Sequence, residues 1–268
     1  MHFFSLLFPE TVNDVLVGAT SAALSRYYFR KSGKWCRSGH RGRIVSPAGR
    51  SVVFTTYTLI YVTRLQFMLG SSKASKLCLR SVLPVNTRPT TSLQTYVDMI
   101  ESGKSNHVAW GNQLGYILLP FHLAMHSDPL AYVRKAKKII DRKKSSLEVI
   151  FTCKMNAFFV KMFGMKVASF IYQRMFANTT FLFSNMVGPT EQIEFYGHPI
   201  VFIAPCSYGG PHALVVQYQS YDNTIKVILS VDDEVIPDYA QLLDDFTESF
   251  GRIKDASSRL SASMIKKE

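Results

Sequence analysis

Apolar positions along this chain recur at two periods, and each period assigns an element. Over residues 11–30 they fall on Val12, Leu16, Ala19, Ala23 and Tyr27, the spacing of one helical face. Thr11 with Asp14 three residues on fits a capping box, so a helix is expected to begin there and to stop near Gly33. Over 128–144, Asp128 is a candidate N-cap, Pro129 suits the first helical position, and Leu130, Val133, Ala136 and Ile140 form one face. Further helices are predicted over 91–102, over 147–176 and after Pro237, where Leu242, Phe246, Phe250 and Ile253 form the apolar face.

The period of two appears elsewhere. "KLCLRSVLPVNTRP" (76–89) reads as a strand ending at an Arg-Pro turn. "VAWGNQLGYILLPF" (108–121) reads as a strand whose glycines at 111 and 115 mark a bulge or a close backbone approach. From residue 180 onward strands are predicted over 180–186, 199–204, 213–219 and 224–231. In the last, Ile225, Val227, Leu229 and Val231 alternate with Thr224, Lys226, Ile228 and Ser230, and "SYDN" (220–223) before it reads as a hairpin turn. There is no internal repeat. Helices mixed with a run of strands predict an α/β sandwich, helices packed on a mixed sheet.

Composition agrees with a packed core. The 268 residues are 47% hydrophobic and 19% charged, enough for one large or two small domains. A net charge of +12 favours anionic partners: nucleic acid, phosphorylated cofactors or an acidic membrane surface. Cys36, Cys78, Cys153 and Cys206 are far apart with no CxxC pair, which argues against a zinc module or a disulfide framework and for a reducing, cytosol-facing compartment. "MHFFSLLFPE" lacks the basic start and cleavage site of a signal peptide. The apolar stretch 52–69 carries Arg64 and several threonines, short of a membrane span, and 155–172 carries Lys161 and Lys166, as a buried or interfacial helix would. The basic stretch 36–51 reads either as an exposed linker or as a surface for RNA or a membrane.

Several clusters suggest chemistry, each beside a plainer structural role. His122 and His126 would share a helical face and could bind a metal, but Pro120 and Asp128-Pro129 make the segment a loop. Asp232, Asp233 and Glu234 could act as acid/base groups or hold magnesium, or simply solvate a strand end. "CSYGGPH" (206–212) holds Cys206, Ser207 and His212 without the spacing of a hydrolase elbow. The basic helix 128–144 could attract cofactor phosphates or an anionic bilayer, or be a solvated face. "FLFSNMVGP" (181–189) is a strand that ends on Ser184 and Asn185 before Gly188-Pro189, where small polar residues either satisfy the strand end or line a site.

Taken in order, "TVNDVLVGATSAALSRY" (11–27), "LRSVLPVNTRPT" (79–90), "WGNQLGYILLPF" (110–121), "DPLAYVRKAKKIIDRKK" (128–144) and "FSNMVGP" (183–189) resemble the C-terminal part of the plant wax ester synthase/diacylglycerol acyltransferase family. The resemblance implies the fold of the CoA-dependent acyltransferases (the chloramphenicol acetyltransferase-like α/β sandwich), in which two similar domains face each other across a tunnel. It implies transfer of a fatty acyl group from acyl-CoA to a long-chain alcohol or to diacylglycerol. Acyl-CoA is then a co-substrate, with no cofactor and no metal. It implies Asn13, Asp14, Ser184, Asn185, Gly188 and Pro189 as tunnel wall or substrate contacts. The expected partners are acyl-CoA, the alcohol or diacylglycerol, a membrane surface and a full-length homologue, with no nucleic acid. The expected place is the cytosolic face of the endoplasmic reticulum, or the plasma membrane.

The chain also departs from that pattern. In the family an HHxxxDG motif of the N-terminal domain supplies the general base, which takes the acceptor hydroxyl's proton as the oxygen attacks the thioester carbonyl. His2, His40, His107, His122, His126, His198 and His212 include no adjacent pair, so no catalytic residue is assigned. The expected organisation is an N-terminal segment with the first helix (1–36), an atypical basic and apolar insertion (37–75) and the acyltransferase C-terminal domain (76–268). A truncated product, weakly active or inactive alone and poorly soluble through its uncovered face, is the expectation. A non-catalytic acyl-CoA- or lipid-binding protein is the alternative.

Overall fold

The computed structural model describes residues 11–38, 77–87, 100–101, 113–207 and 210–265. The basic stretch, the apolar stretch 52–69 and most of the predicted helix 91–102 lie outside these. Helix α1 (Val12–Ser38) starts where the capping box places it: Asp14 Oδ2 accepts from the Thr11 N–H at 2.6 Å and from its hydroxyl at 3.0 Å. It runs past Gly33, the expected stop, because one glycine costs a helix only about 1 kcal/mol and tertiary contacts along the preceding turns outweigh it.

Strands β1 (Cys78–Asn86) and β2 (Leu114–His122) pair antiparallel. Helices α2 (Leu130–Lys144) and α3 (Glu148–Phe176) follow. Asp128 Oδ1 accepts from the Leu130 N–H at 2.9 Å, so the expected N-cap operates with Pro129 beside it. Then come β3 (Phe181–Met186), the short hairpin β4 (Glu194–Phe195) and β5 (His198–Pro199), β6 (Leu214–Tyr221), β7 (Thr224–Val231) and helix α4 (Tyr239–Ile265).

The main sheet has the order β2-β1-β3-β6-β7, with β1/β3 and β3/β6 parallel and the outer pairs antiparallel. The predicted mixed α/β arrangement is thereby observed. The predicted strand 199–204 is not: only His198–Pro199 is strand, and Val201 and Phe202 are exposed. Pro199 and Pro205 bracket this segment and lack ladder donors, and it is held by the Ile200 N–H donating to the Ile193 carbonyl at 2.9 Å and by a side chain. Tyr221 Oη donates to the Ile200 carbonyl at 2.8 Å and accepts from the Ile193 N–H at 3.0 Å.

One face of the sheet carries the core. Leu79, Leu119, Phe121, Phe181, Phe183, Val216 and Tyr218 meet Leu16, Leu24 and Tyr28 of α1, Ile140 of α2 and Phe246 of α4. Gly18 lets α1 approach α2, since a Cβ there would lie 2.8 Å from the Val133 Cα. Charges tie α1 to α4: Arg30 meets the buried Asp245 at 2.5 Å, and Lys31 and Tyr27 meet Asp238 at 2.9 and 2.7 Å. Helix α3 covers the edge strand β2. Thr152 Oγ1 accepts from the Tyr116 N–H and Glu148 Oε1 from the Leu118 N–H, each at 2.9 Å, so two edge donors are satisfied.

Candidate functional site

The pleat of β3 divides the residues singled out in the sequence between two faces. Phe181, Phe183 and Asn185 turn to the helix-covered side, with Phe181 and Phe183 in the aromatic core beside Phe121 and Tyr218. Leu182, Ser184 and Met186 turn to the other side, where Ser184 lies opposite Gln217 and Met186 opposite Gln219.

On the helix side, Asn185 Nδ2 donates to Asn13 Oδ1 at 2.5 Å. The strand end is thus fastened to the first turn of α1. Asn13 is exposed, so the pair sits at the rim of the sheet's carboxyl end. Beside it Asp14 is fully buried; its Oδ2 serves the cap, and its Oδ1 has no hydrogen-bond partner among the described residues. Nearly two turns further, Thr20 Oγ1 donates to the Leu16 carbonyl and so accepts from Tyr218 Oη at 2.8 Å. Burial raises the Tyr218 phenol far above its ordinary value.

Gly188-Pro189, just past the end of β3, turns onto β6. The Gly188 N–H donates to Ser220 Oγ at 3.0 Å, and the Pro189 carbonyl accepts from the Asp222 N–H at 2.9 Å. A Cβ on Gly188 would lie 2.2 Å from the Ser220 carbonyl oxygen, so only glycine permits this approach of the turn to β6. Asn13 and Asn185 therefore join α1 to the end of β3, with Asp14 beside them in the chain, Gly188 and Pro189 join the following turn to β6, and Ser184 belongs to the opposite face.

That opposite face is polar and buried at its centre. Ser184, Gln217 and Gln219 are all buried. Gln217 holds the 206–207 loop reciprocally, its Oε1 accepting from the Ser207 N–H at 3.1 Å and its Nε2 donating to Ser207 Oγ at 2.9 Å. Gln219 donates to the Ser220 carbonyl, and its Oε1 is buried with no partner among the described residues. Sequence reading assigns Gln217 and Gln219 no role beyond a strand and places Ser220 in a hairpin turn, whereas Ser220 lies within β6. The signal was present in "VVQYQSY", where glutamines alternate with Val216 and Tyr218 in an otherwise apolar strand.

The other clusters resolve into separate roles. His122 ends β2 and is exposed, while His126 packs on Tyr132 with Lys135 Nζ at 3.0 Å from its Nε2. Burial and Lys135 lower the His126 pKa. Among the described residues no three His, Cys, Asp or Glu side chains gather as a metal site. Asp232 caps the turn into α4, its Oδ1 accepting from the Glu234 N–H at 3.1 Å. His212 does not meet Ser207. Thr179 Oγ1 donates to the Phe176 carbonyl, so it accepts from His212 Nε2–H at 2.8 Å. Burial pushes the His212 pKa down to about 4, the backbone of Phe176 opposing this in part.

Comparison with known proteins assigns this arrangement. The description "WS/DGAT C-terminal domain" matches residues 110–254, just over half of the chain. Wax ester synthase/diacylglycerol acyltransferase 6 of Arabidopsis thaliana is 42% identical over 246 residues, covering 92% of this chain and 43% of that protein. Wax ester synthase/diacylglycerol acyltransferase 4 of the same plant is 40% identical over 249 residues, covering 93% and 42%. The chain thus spans less than half the length of these curated relatives. In fold it is similar to the solved wax ester synthase/diacylglycerol acyltransferase from Marinobacter aquaeolei VT8, with a TM-score of 0.52 over 93% of this chain and 44% of that one at 14% identity. With the mixed sheet and its helix-covered face, these matches show that the chain belongs to the WS/DGAT C-terminal domain family and has the α/β fold of the CoA-dependent acyltransferases.

Proposed function

We propose that this chain provides the C-terminal half of an O-acyltransferase active site that moves a fatty acyl group from acyl-CoA to a long-chain alcohol or diacylglycerol. The observation that carries the reading is the junction at the carboxyl end of β3, where residues 172 positions apart meet as Asn13 and Asn185 within a family-matched fold. The amide pair and the rigid end of α1 form a rim of fixed donors and acceptors, suited to orient an acceptor hydroxyl or a thioester carbonyl. Gln219 Oε1 offers a further buried acceptor on the opposite face.

These residues position; none is placed to remove the acceptor's proton. No two histidines of the 268 are adjacent, so the general base of an HHxxxDG motif has to come from another segment. General-base help is typically worth ~100- to 10,000-fold, so the chain alone is expected to turn over weakly or not at all. Labelled acyl-CoA with hexadecanol or diacylglycerol tests this. Turnover that appears only with an N-terminal half carrying HHxxxDG supports the reading, and robust turnover by the chain alone overturns the missing-base argument. The same missing base favours a second reading, a non-catalytic acyl-CoA- or lipid-binding protein, which binding without turnover in the joined protein would support. A membrane surface at the endoplasmic reticulum completes the proposal, since both acceptors reside in lipid.

A further inference from the structure

Helix α3 is bent at Gly164, whose backbone (φ 75°, ψ 173°) lies outside the helical range. Both arms return to one residue of the edge strand. Thr152 on the first arm bonds the Tyr116 backbone, and Tyr172 and Phe176 on the second pack on the Tyr116 ring with centroids at 5.7 and 5.5 Å. The arms share a base, and Gly164 is the apex of a helical hairpin. Twelve residues separate Thr152 from the apex, roughly 18 Å of helix at 1.5 Å per residue. Among the described residues a Cβ built on Gly164 meets nothing within 4 Å, so the apex stands clear of them.

The tip is apolar and basic at once. Phe158, Met162, Phe163 and Met165 are between 49% and 72% exposed, and Lys161 and Lys166 stand among them, also exposed. From Val149 to Phe176 there is no Asp or Glu. The helix's one acid, Glu148, is at the base and is paired with Lys143 at 2.5 Å. None of the helices described is long and apolar enough to cross a membrane. Exposed rings flanked by ammonium groups match a negatively charged bilayer surface, where rings enter the acyl boundary and lysines stay among phosphates. A second copy docking through the same tip would set Lys161 and Lys166 against their own counterparts in a chain of net charge +12.

We propose that the Gly164 hairpin is an interfacial anchor that inserts its tip into an anionic phospholipid bilayer. The inference rests on α3 alone and stands whether or not the chain takes part in acyl transfer. The test is co-sedimentation of the full 268-residue chain with phosphatidylcholine vesicles with and without phosphatidylserine. Binding is expected to require phosphatidylserine and to fall as salt rises. Lys161→Glu with Lys166→Glu is expected to lower the partition coefficient at least about tenfold, since each basic residue near such a surface contributes about fivefold. Met162→Ser with Phe163→Ser is expected to lower it as well, with circular dichroism melts unchanged for both variants because the tip projects away from the fold. Equal binding to both kinds of vesicle, or unchanged binding by the lysine variant, would overturn the proposal. So would a lysine variant that alters the oligomeric mass instead of vesicle binding, which would assign the tip to a second copy.

Discussion

The side-chain amide of Asn185, at the end of the central strand, donates to the side-chain carbonyl of Asn13 at 2.5 Å, closing 172 residues of chain on one hydrogen bond. Asn13→Ala and Asn185→Ala should therefore show coupled effects. A double-mutant cycle read by urea unfolding is expected to give an interaction of about 1 kcal/mol. In a complete enzyme, Asn185→Ala is expected to lower kcat/KM about tenfold, one hydrogen bond's worth of positioning. An additive cycle and unchanged kcat/KM would reduce the pair to a surface contact.

Gly188→Ala should destabilise the fold through space, not through backbone conformation. Its Cβ would lie 2.2 Å from the Ser220 carbonyl and 2.4 Å from Gln219 Nε2, so the turn must shift and lose the bond to Ser220 Oγ. A cost of about 1–3 kcal/mol is expected in chemical denaturation. Gly251→Ala is the contrast. That Cβ meets nothing within 4 Å among the described residues and lies inside α4, so a gain of about 0.5–1 kcal/mol is expected.

His212 predicts an acid-side loss of stability. Its folded pKa of about 4 lies below its unfolded value of about 6.5, so between those pH values the unfolded chain binds more protons. Stability should fall as pH drops from 6.5 towards 4, by up to about 3 kcal/mol. Urea midpoints of His212→Gln should change less over the same window than those of the unaltered chain. Identical pH slopes would show that His212 takes no part.

Arg30 and Asp245 should prove unequal partners. Asp245 is buried with only 2% of its side chain exposed, whereas Arg30 and Arg26 keep 26% and 20%. Arg30→Met strands a buried carboxylate, with Arg26 left 3.8 Å away, and is expected to cost about 2–3 kcal/mol. Asp245→Asn leaves arginines that can turn to water and should cost about 1 kcal/mol. Thermal unfolding of the two variants distinguishes the cases.

Much of the framework was legible because local chemistry decided it. The Thr11–Asp14 box, the Asp128 cap and the alternation of Ile225, Val227, Leu229 and Val231 all appear where period and capping predict. The family resemblance marked both partners of the amide pair. It did not reveal that Asn185 turns to α1 while Ser184 turns away, although a period of two requires neighbours to diverge. Residues 199–204 misled because Val201, Phe202 and Ile203 are strand formers locally, while the ladder that would recruit them is absent and Tyr221 holds the segment by its hydroxyl. Gly164 was hidden inside an apolar helical pattern, where a helix can bend or continue with the same composition. The buried faces of Gln217 and Gln219 became visible only once β6 was placed between β3 and β7.

The parallel pairing of β1 with β3 sets a timetable for synthesis. Ser81 aligns with Phe181, so β1 leaves the ribosome 100 residues before its central neighbour. At about 5–20 residues per second that is a wait of roughly 5–20 s. Helix α1 waits longer still, until α4 at the far end of the chain arrives to pair with it. For that interval Leu16, Leu24 and Tyr28 lack their final partners. The pairing of α1 with α4 is therefore completed late, and chaperone contact before it is expected to fall on α1.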